Sequence, residues 1–181
     1  GKIFGVIEID ATNPEIPHLI DLIVEEVKNN YYYTDDQNTE AGTLSEQFET
    51  MLKKTNLAIA SFLESEQIEL EITKVNILIA IQKNQELHFT VVGDIGAYLF
   101  YNTSKNNFRI INVLDASHSA IAEPDPLKFF SQVVSGRIRS KDQFFVTTSN
   151  ILDYFSLETI KNIIALGEGT EELQNLIENT Q

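Results

Sequence analysis

The chain has 181 residues, 43% hydrophobic and 22% charged, with 27 acidic against 13 basic side chains and a formal net charge of −14. That length suits one well-packed domain spanning residues 1–181, and the acidity disfavours nucleic acid and anionic membrane surfaces, whose phosphates it repels. No apolar run approaches the roughly 18–20 residues that cross a bilayer, so no direct membrane insertion is expected of this segment, and no signal-peptide pattern occurs. Cysteine is absent, which excludes disulfides and thiolate chemistry and fits a reducing, cytoplasmic location.

Ile3–Asp10 (IFGVIEID) reads as a strand, apolar first and then alternating. Asn13, Pro14 and Pro17 break it and lead into a helix with Leu19, Ile20, Ile23, Val24 and Val27 on one face. That helix ends near the run Tyr31–Tyr33, which reads as a frayed end with one ring turned inward. A partner contact is its other reading, because tyrosines are rigid amphipathic anchors. Residues 34–42 are polar and form the expected loop. Thr43-Leu-Ser-Glu46 is a capping-box pattern. It opens an amphipathic helix carrying Leu44, Phe48, Met51, Leu52, Thr55, Ile59 and Phe62 at three- and four-residue spacing.

The period then changes. Val75–Ile81 (VNILIAI) and Leu87–Val92 read as strands joined by a short turn, and so do Ala97–Tyr101 and Phe108–Val113. Phe129–Ile138 and Gln143–Thr148 form a third expected pair around an Arg139–Asp142 turn. Connections this short imply antiparallel pairing. Ser156–Leu166 is a helix with Ser156 as its cap, and a last helix is expected over Glu171–Asn179. The order strand, two helices, about six strands, two helices is α+β with a mostly antiparallel sheet system. VNILIAI is apolar on both faces, which suggests sheets covered by helical layers.

Residues that carry chemistry are few. His18, His88 and His118 lie in no metal-ligand spacing and read as structural. The arginines are Arg109, Arg137 and Arg139, the last two flanking a turn. No phosphate-cradling glycine loop or nucleophile elbow occurs. The sequon Asn102-Thr103-Ser104 reads as part of a hairpin turn. Gly93-Asp94, between two apolar strands, marks a structural tight turn in which Asp94 is able to cap backbone N–H groups.

Gly93–Leu99 (GDIGAYL) resembles the Gly-Asp-Ser-Arg-Ala-Tyr-Leu signature of the type 2C (PPM-type) metal-dependent protein serine/threonine phosphatases. Phe4–Ile9 occupies the place of the family's strand ending in Asp-Gly, and Thr43–Glu64 that of its second long helix. Leu114–Ser119 resembles a later segment of the family. Lys141–Ser156 (KDQFFVTTSNILDYFS) resembles the run that carries Ser-Asp-Gly-Leu-x-Asp. The resemblance spans nearly the whole chain. It implies an αββα sandwich of two antiparallel sheets flanked by helices, truncated at both ends: the family's early strand would precede residue 1 and its Asp-Asn strand would follow residue 181.

In that family, carboxylates at strand ends hold two divalent metals that bind phosphate and activate a water. Two hard cations need several anionic oxygens. Here Glu8 keeps a carboxylate, but Ile9 replaces the glycine beside it; a shift of two residues offers Asp10-Ala11. Ser149 and Asn150 stand in place of the Asp-Gly of the later motif, with Asn150 able to take up a left-handed turn. Ile95 and Gly96 replace Ser-Arg, and Asp153 reads as a helix-start residue. The resemblance thus implies a degenerate, pseudophosphatase-like member with no cofactor, acting through an unidentified protein partner or in regulation. Two alternatives stand beside it. One is a divergent active enzyme using Mg or Mn with Glu8, Asp10, Asp115 and segments outside the chain. The other is an unrelated α+β binding domain.

Overall fold

The computed structural model describes residues 1–32, 42–104, 107–116, 128–148, 150–166 and 175. The described residues form seven strands and five α-helices, divided between two compact units. The first unit holds residues 1–95 and 120–137, and the second holds 96–119 and 138–181. Among the described residues no helix is long and apolar enough to cross a membrane.

In the first unit, β1 (Lys2–Ile9), β2 (Val75–Lys83), β3 (Glu86–Val92) and β6 (Val134–Arg137) form an antiparallel sheet in the order β1-β2-β3-β6. β2 is its apolar centre, with Val75 and Ile77–Ile81 all buried. Strand geometry puts alternate residues on opposite faces. Val75, Ile77, Ile79 and Ile81 therefore share one face. They pack into a single cluster with α1 (Ile16–Tyr32) and α2 (Leu44–Ser65).

The helices form where the sequence directs them. Pro17 sits in the first turn of α1, where its missing N–H has no intrahelical partner to lose. α1 buries Ile16, Leu19, Ile23 and Val27, the spacing of one helical face. Its end is the frayed tyrosine run: Tyr31 packs against the core while Tyr32 is 56% exposed. Tyr33 lies outside the described residues. At the start of α2 the capping box is complete. The Thr43 hydroxyl accepts from the Glu46 N–H at 3.3 Å, and the Glu46 carboxylate accepts from the Thr43 N–H at 2.8 Å.

The second unit carries β4 (Ile95–Ser104), β5 (Asn107–Asn112) and β7 (Gln143–Thr148) in the order β5-β4-β7. Two short helices follow strands here: α3 (Val113–Ala116) and α4 (Asn150–Tyr154). α5 (Leu157–Leu166) lays Ile160 and Ile164 against Tyr98, Phe100 and Phe108. Ser156 caps it, accepting from the Thr159 N–H at 3.1 Å. The helix expected over 171–179 lies outside the described residues apart from Asn175.

One expected pairing is wrong. The turn at Arg139–Asp142 is present, closed by the Asp142 N–H on the Arg139 carbonyl at 3.0 Å, but the strands it joins do not pair. β6 is bonded to β3, with Phe89 opposite Val134, and β7 belongs to the other sheet. Two contacts between residues far apart in sequence explain this. The Asp142 carboxylate accepts from the Asn102 N–H of β4 at 3.0 Å, which ties the start of β7 to β4. Upstream, the buried Asn56 of α2 grips Phe130, accepting from its N–H at 2.9 Å and donating to its carbonyl at 3.0 Å. Phe130 is thereby held out of the ladder, and the strand expected from Phe129 begins only at Val134.

Two outcomes follow. Thr43→Ala removes one half of the capping box and should destabilise the fold by about 1 kcal/mol, read from denaturant midpoints. His18, bonded through Nδ1 to the Glu15 carboxylate at 2.8 Å, has its pKa raised above 6.5, chiefly by that bond. Its NMR titration midpoint should lie above 6.5 and fall back in Glu15→Gln. The small stability that the pair supplies is complete below that pH and lost as pH rises through the folded-state midpoint.

Candidate functional site

The candidate residues of the first unit converge at one end of its sheet. Glu8, near the end of β1, lies directly opposite Asn76 at the start of β2. Opposite residues of an antiparallel pair share a face, so their side chains meet. Asn76 Nδ2 donates to Glu8 Oε2 at 2.9 Å. The other end of the same carboxamide faces the turn after β3, where Asn76 Oδ1 accepts from the main-chain N–H of Asp94 at 2.8 Å. One neutral side chain thus links the β1 carboxylate to the Gly93-Asp94 turn. The group capped at this turn is the Asp94 N–H, and the capping group is Asn76.

Gly93 makes that link sterically possible. Its φ is +80°, a region that side chains rarely adopt. A Cβ built there would sit 1.9 Å from the Val75 carbonyl oxygen and 2.5 Å from Asn76 Oδ1. Any side chain would therefore displace both the β2 backbone and the capping carboxamide. Ile95, next in the chain, is buried at the start of β4, and Gly96 follows it with Tyr98 close by.

Asp10 continues the β1 ladder through its N–H, bonded to the Lys74 carbonyl at 3.0 Å, and is exposed. Ile9 is partly buried and packs against the helix-side core. Asn150 is exposed and opens α4, with Asp153 in that helix's first turn. Ser149 and His118 lie outside the described residues. Asp115 belongs to the second unit, where its carboxylate accepts from Asn112 Nδ2 at 2.9 Å.

The other polar candidates stand in structural settings. His88 is buried on β3, its Nδ1 2.8 Å from the Ser135 hydroxyl of β6. Its Nε2 lies 4.0 Å from a Glu86 oxygen, beyond hydrogen-bond range. In the second unit the Arg139 guanidinium bonds the Tyr101 hydroxyl and lies 4.9 Å from that ring's centre. Arg109 and Arg137 are exposed on strands.

A divalent hard cation takes about six or more oxygen ligands, several of them anionic. Among the described residues no group of three or more His, Asp, Glu or Cys side chains is placed to hold a metal. At the sheet end, Glu8 Oε2 is taken by an amide N–H and the Asn76 oxygen by a backbone N–H. The described donor set therefore does not fit a two-metal centre. Asn76 is the residue that the sequence reading missed. Its signal was present as the one polar residue in the apolar run VNILIAI.

No protein-family model matches the chain, and no curated protein matches it by sequence. Solved structures do match. The Mycobacterium tuberculosis serine/threonine phosphatase PstP/Ppp superposes with a TM-score of 0.64 at 16% identity, over 98% of this chain and 80% of that one. The catalytic domain of PstP in complex with two manganese ions gives a TM-score of 0.63 at 18% identity, over 97% and 78%. PppA, a key regulatory component of T6SS in Pseudomonas aeruginosa, gives 0.57 at 10% identity, over 89% and 71%. The chain therefore has the fold of the type 2C serine/threonine phosphatases, with two antiparallel sheets and their helices.

The link at the sheet end gives a sharp expectation. Gly93→Ala forces a Cβ into the β2 backbone and should cost about 2–4 kcal/mol in chemical denaturation. Asn76→Leu leaves the Asp94 N–H and the Glu8 carboxylate without their partner and should cost about 1–3 kcal/mol. Because both changes break the same link, the double variant should cost clearly less than the sum.

Proposed function

We propose that residues 1–181 form a single, non-catalytic domain of phosphatase fold, a pseudophosphatase that acts through protein–protein contacts or in regulation. The observation that carries this reading is the use made of Glu8. It is the one carboxylate kept at a position matching the metal-binding strand end of the resembling enzymes, and Asn76 holds it as part of a turn anchor. Beside it, Ile9 stands for a glycine and packs into the core. Ser149 and Asn150 stand for the later Asp-Gly, which removes a further anionic ligand. Neutral oxygens do not offset the desolvation of a divalent ion as carboxylates do. Folds also outlast their sites, so a phosphatase fold does not by itself carry phosphatase activity. The regulatory description of PppA, a neighbour in fold, is consistent with a regulatory role for this chain. The cysteine-free composition supports the cytoplasm as its place of action.

The test is direct. Calorimetry with magnesium and with manganese should show no stoichiometric binding, and aryl phosphate should not be hydrolysed in a metal-dependent way. Metal-dependent turnover abolished by Glu8→Gln and by Asp10→Asn would overturn the reading. It would establish instead a divergent metallophosphatase using Mg or Mn with those two carboxylates and segments beyond this chain.

A further inference from the structure

The basic residues are unevenly placed along the chain. Residues 95–114 and 126–141 contain no aspartate or glutamate, although acidic side chains outnumber basic ones by 27 to 13 overall. In the second unit these runs supply Arg109 on β5, and Arg139 and Lys141 in the turn before β7, all three exposed. None of the three forms an ion pair with a described residue.

The two arginines meet at one tyrosine. Tyr101 of β4 lies directly opposite Arg109, and Leu99 lies opposite Ile111. Opposite residues share a face. Strand alternation puts these four on the side away from α5, which packs against Phe100 and Ile110. The Arg139 guanidinium reaches the same ring from the turn. It donates to the Tyr101 hydroxyl and lies 4.9 Å from the ring centre. Its main chain is fixed as well, because the Arg139 N–H donates to Asp142 Oδ2 at 3.0 Å. Asp142 is the nearest acid in sequence, and its two oxygens are taken by the main-chain N–H groups of Arg139 and Asn102. A guanidinium carries five N–H donors, and apart from Tyr101 no described residue takes those of Arg139. A planar fork is thus held in place with most of its donors available. Such preorganisation lowers the ordering cost of binding, and the fork matches a carboxylate through two parallel bonds. Ile111, 40% exposed, leaves apolar surface on the same face.

We propose that this face of β4 and β5, with the turn at Arg139–Asp142, is a docking surface for an acidic segment of a partner protein. The segment's carboxylates pair with Arg109, Arg139 and Lys141, and an apolar side chain between them lies on Tyr101 and Ile111. Arginine and tyrosine are the residue types that most often carry interface energy. Charge is felt over only about 8 Å at physiological salt. A short acidic segment therefore answers to the local cations, whereas a long polyanion also meets the acidic remainder of the chain. The proposal extends the reading of the domain as one that works through protein contacts. Peptide binding and metal-dependent turnover are separate measurements, so either reading can fail alone.

The test is fluorescence anisotropy of the 181-residue chain with a short fluorescein-labelled peptide of Asp and Glu around one Leu-Phe pair. Binding should be saturable and should weaken about tenfold as salt rises from about 50 to about 300 mM. The same peptide with Asn and Gln in place of its acids should not bind. Arg109→Gln and Arg139→Gln should each raise the Kd about tenfold. Arg139→Lys keeps the charge but loses the planar fork, and should weaken binding less than Arg139→Gln. Lys53→Gln with Lys54→Gln, both exposed on α2, should leave the Kd unchanged. Absence of saturable binding at the lower salt overturns the proposal. So does a Kd indifferent to both arginine changes. A single-stranded oligonucleotide of equal charge that binds as tightly as the peptide also overturns it, since the face is then a general polyanion surface.

Discussion

The sheet of the first unit ends on a single carboxamide. Asn76 donates its N–H to the Glu8 carboxylate and accepts the Asp94 N–H on its oxygen, and so links β1, β2 and the turn after β3. Each partner is dictated by something else. Strand register puts Glu8 opposite Asn76. The positive φ of Gly93 turns the chain so that the next N–H points back at the sheet. The missing Cβ leaves the carboxamide room to reach it. A hydrogen bond to a charged acceptor is worth more than a neutral one. The Glu8 carboxylate is therefore a strong anchor for this corner even with no role in chemistry. The corner keeps its shape through neutral and singly charged protein groups.

The packing behind that corner has a different logic. β2 is apolar on both faces and buried from Val75 to Ile81 apart from Asn76, so a polar residue is tolerated only where both its hydrogen-bonding ends are satisfied. The same rule governs Asn56 inside α2. It is buried, and its two ends bind the N–H and C=O of Phe130. A backbone segment that would otherwise extend β6 is held on a helix side chain instead. Two asparagines, one at a strand start and one in a helix, thus settle the turn after β3 and the point at which β6 begins. Neither is marked by hydrophobic periodicity.

This explains what the sequence made legible. The helices were readable because their apolar faces and the Thr43–Glu46 cap are local patterns, and the capping box forms as written. β2 through β5 were readable because short turns join strands that do pair with their sequence neighbours. The β6–β7 hairpin failed for a non-local reason. Its turn chemistry at Arg139–Asp142 is sound, but the partners of the two strands are set by β3 and β4, more than thirty residues upstream. The Asp142 carboxylate that closes the turn also binds the Asn102 N–H, so one residue serves local geometry and a distant strand. At the candidate site, Glu8 and the Gly93-Asp94 turn could be found from motif order. Asn76 stands out in the sequence as the one polar residue of VNILIAI, but that it joins them follows only from the register of β1 on β2.

On the reading proposed above, this sheet end does other work than a two-metal site does. Holding two dications gathers several anionic oxygens at one place, and those charges repel one another unless the ions are bound. A corner closed by one carboxylate and one carboxamide carries no such repulsion. Every group in the link is supplied by the chain itself. Asn76 holds the turn after β3, and Ile9, partly buried against the core, adds apolar burial at the end of β1. The backbone conformation at Gly93 sets the turn, and the carboxamide of Asn76 then fits against it.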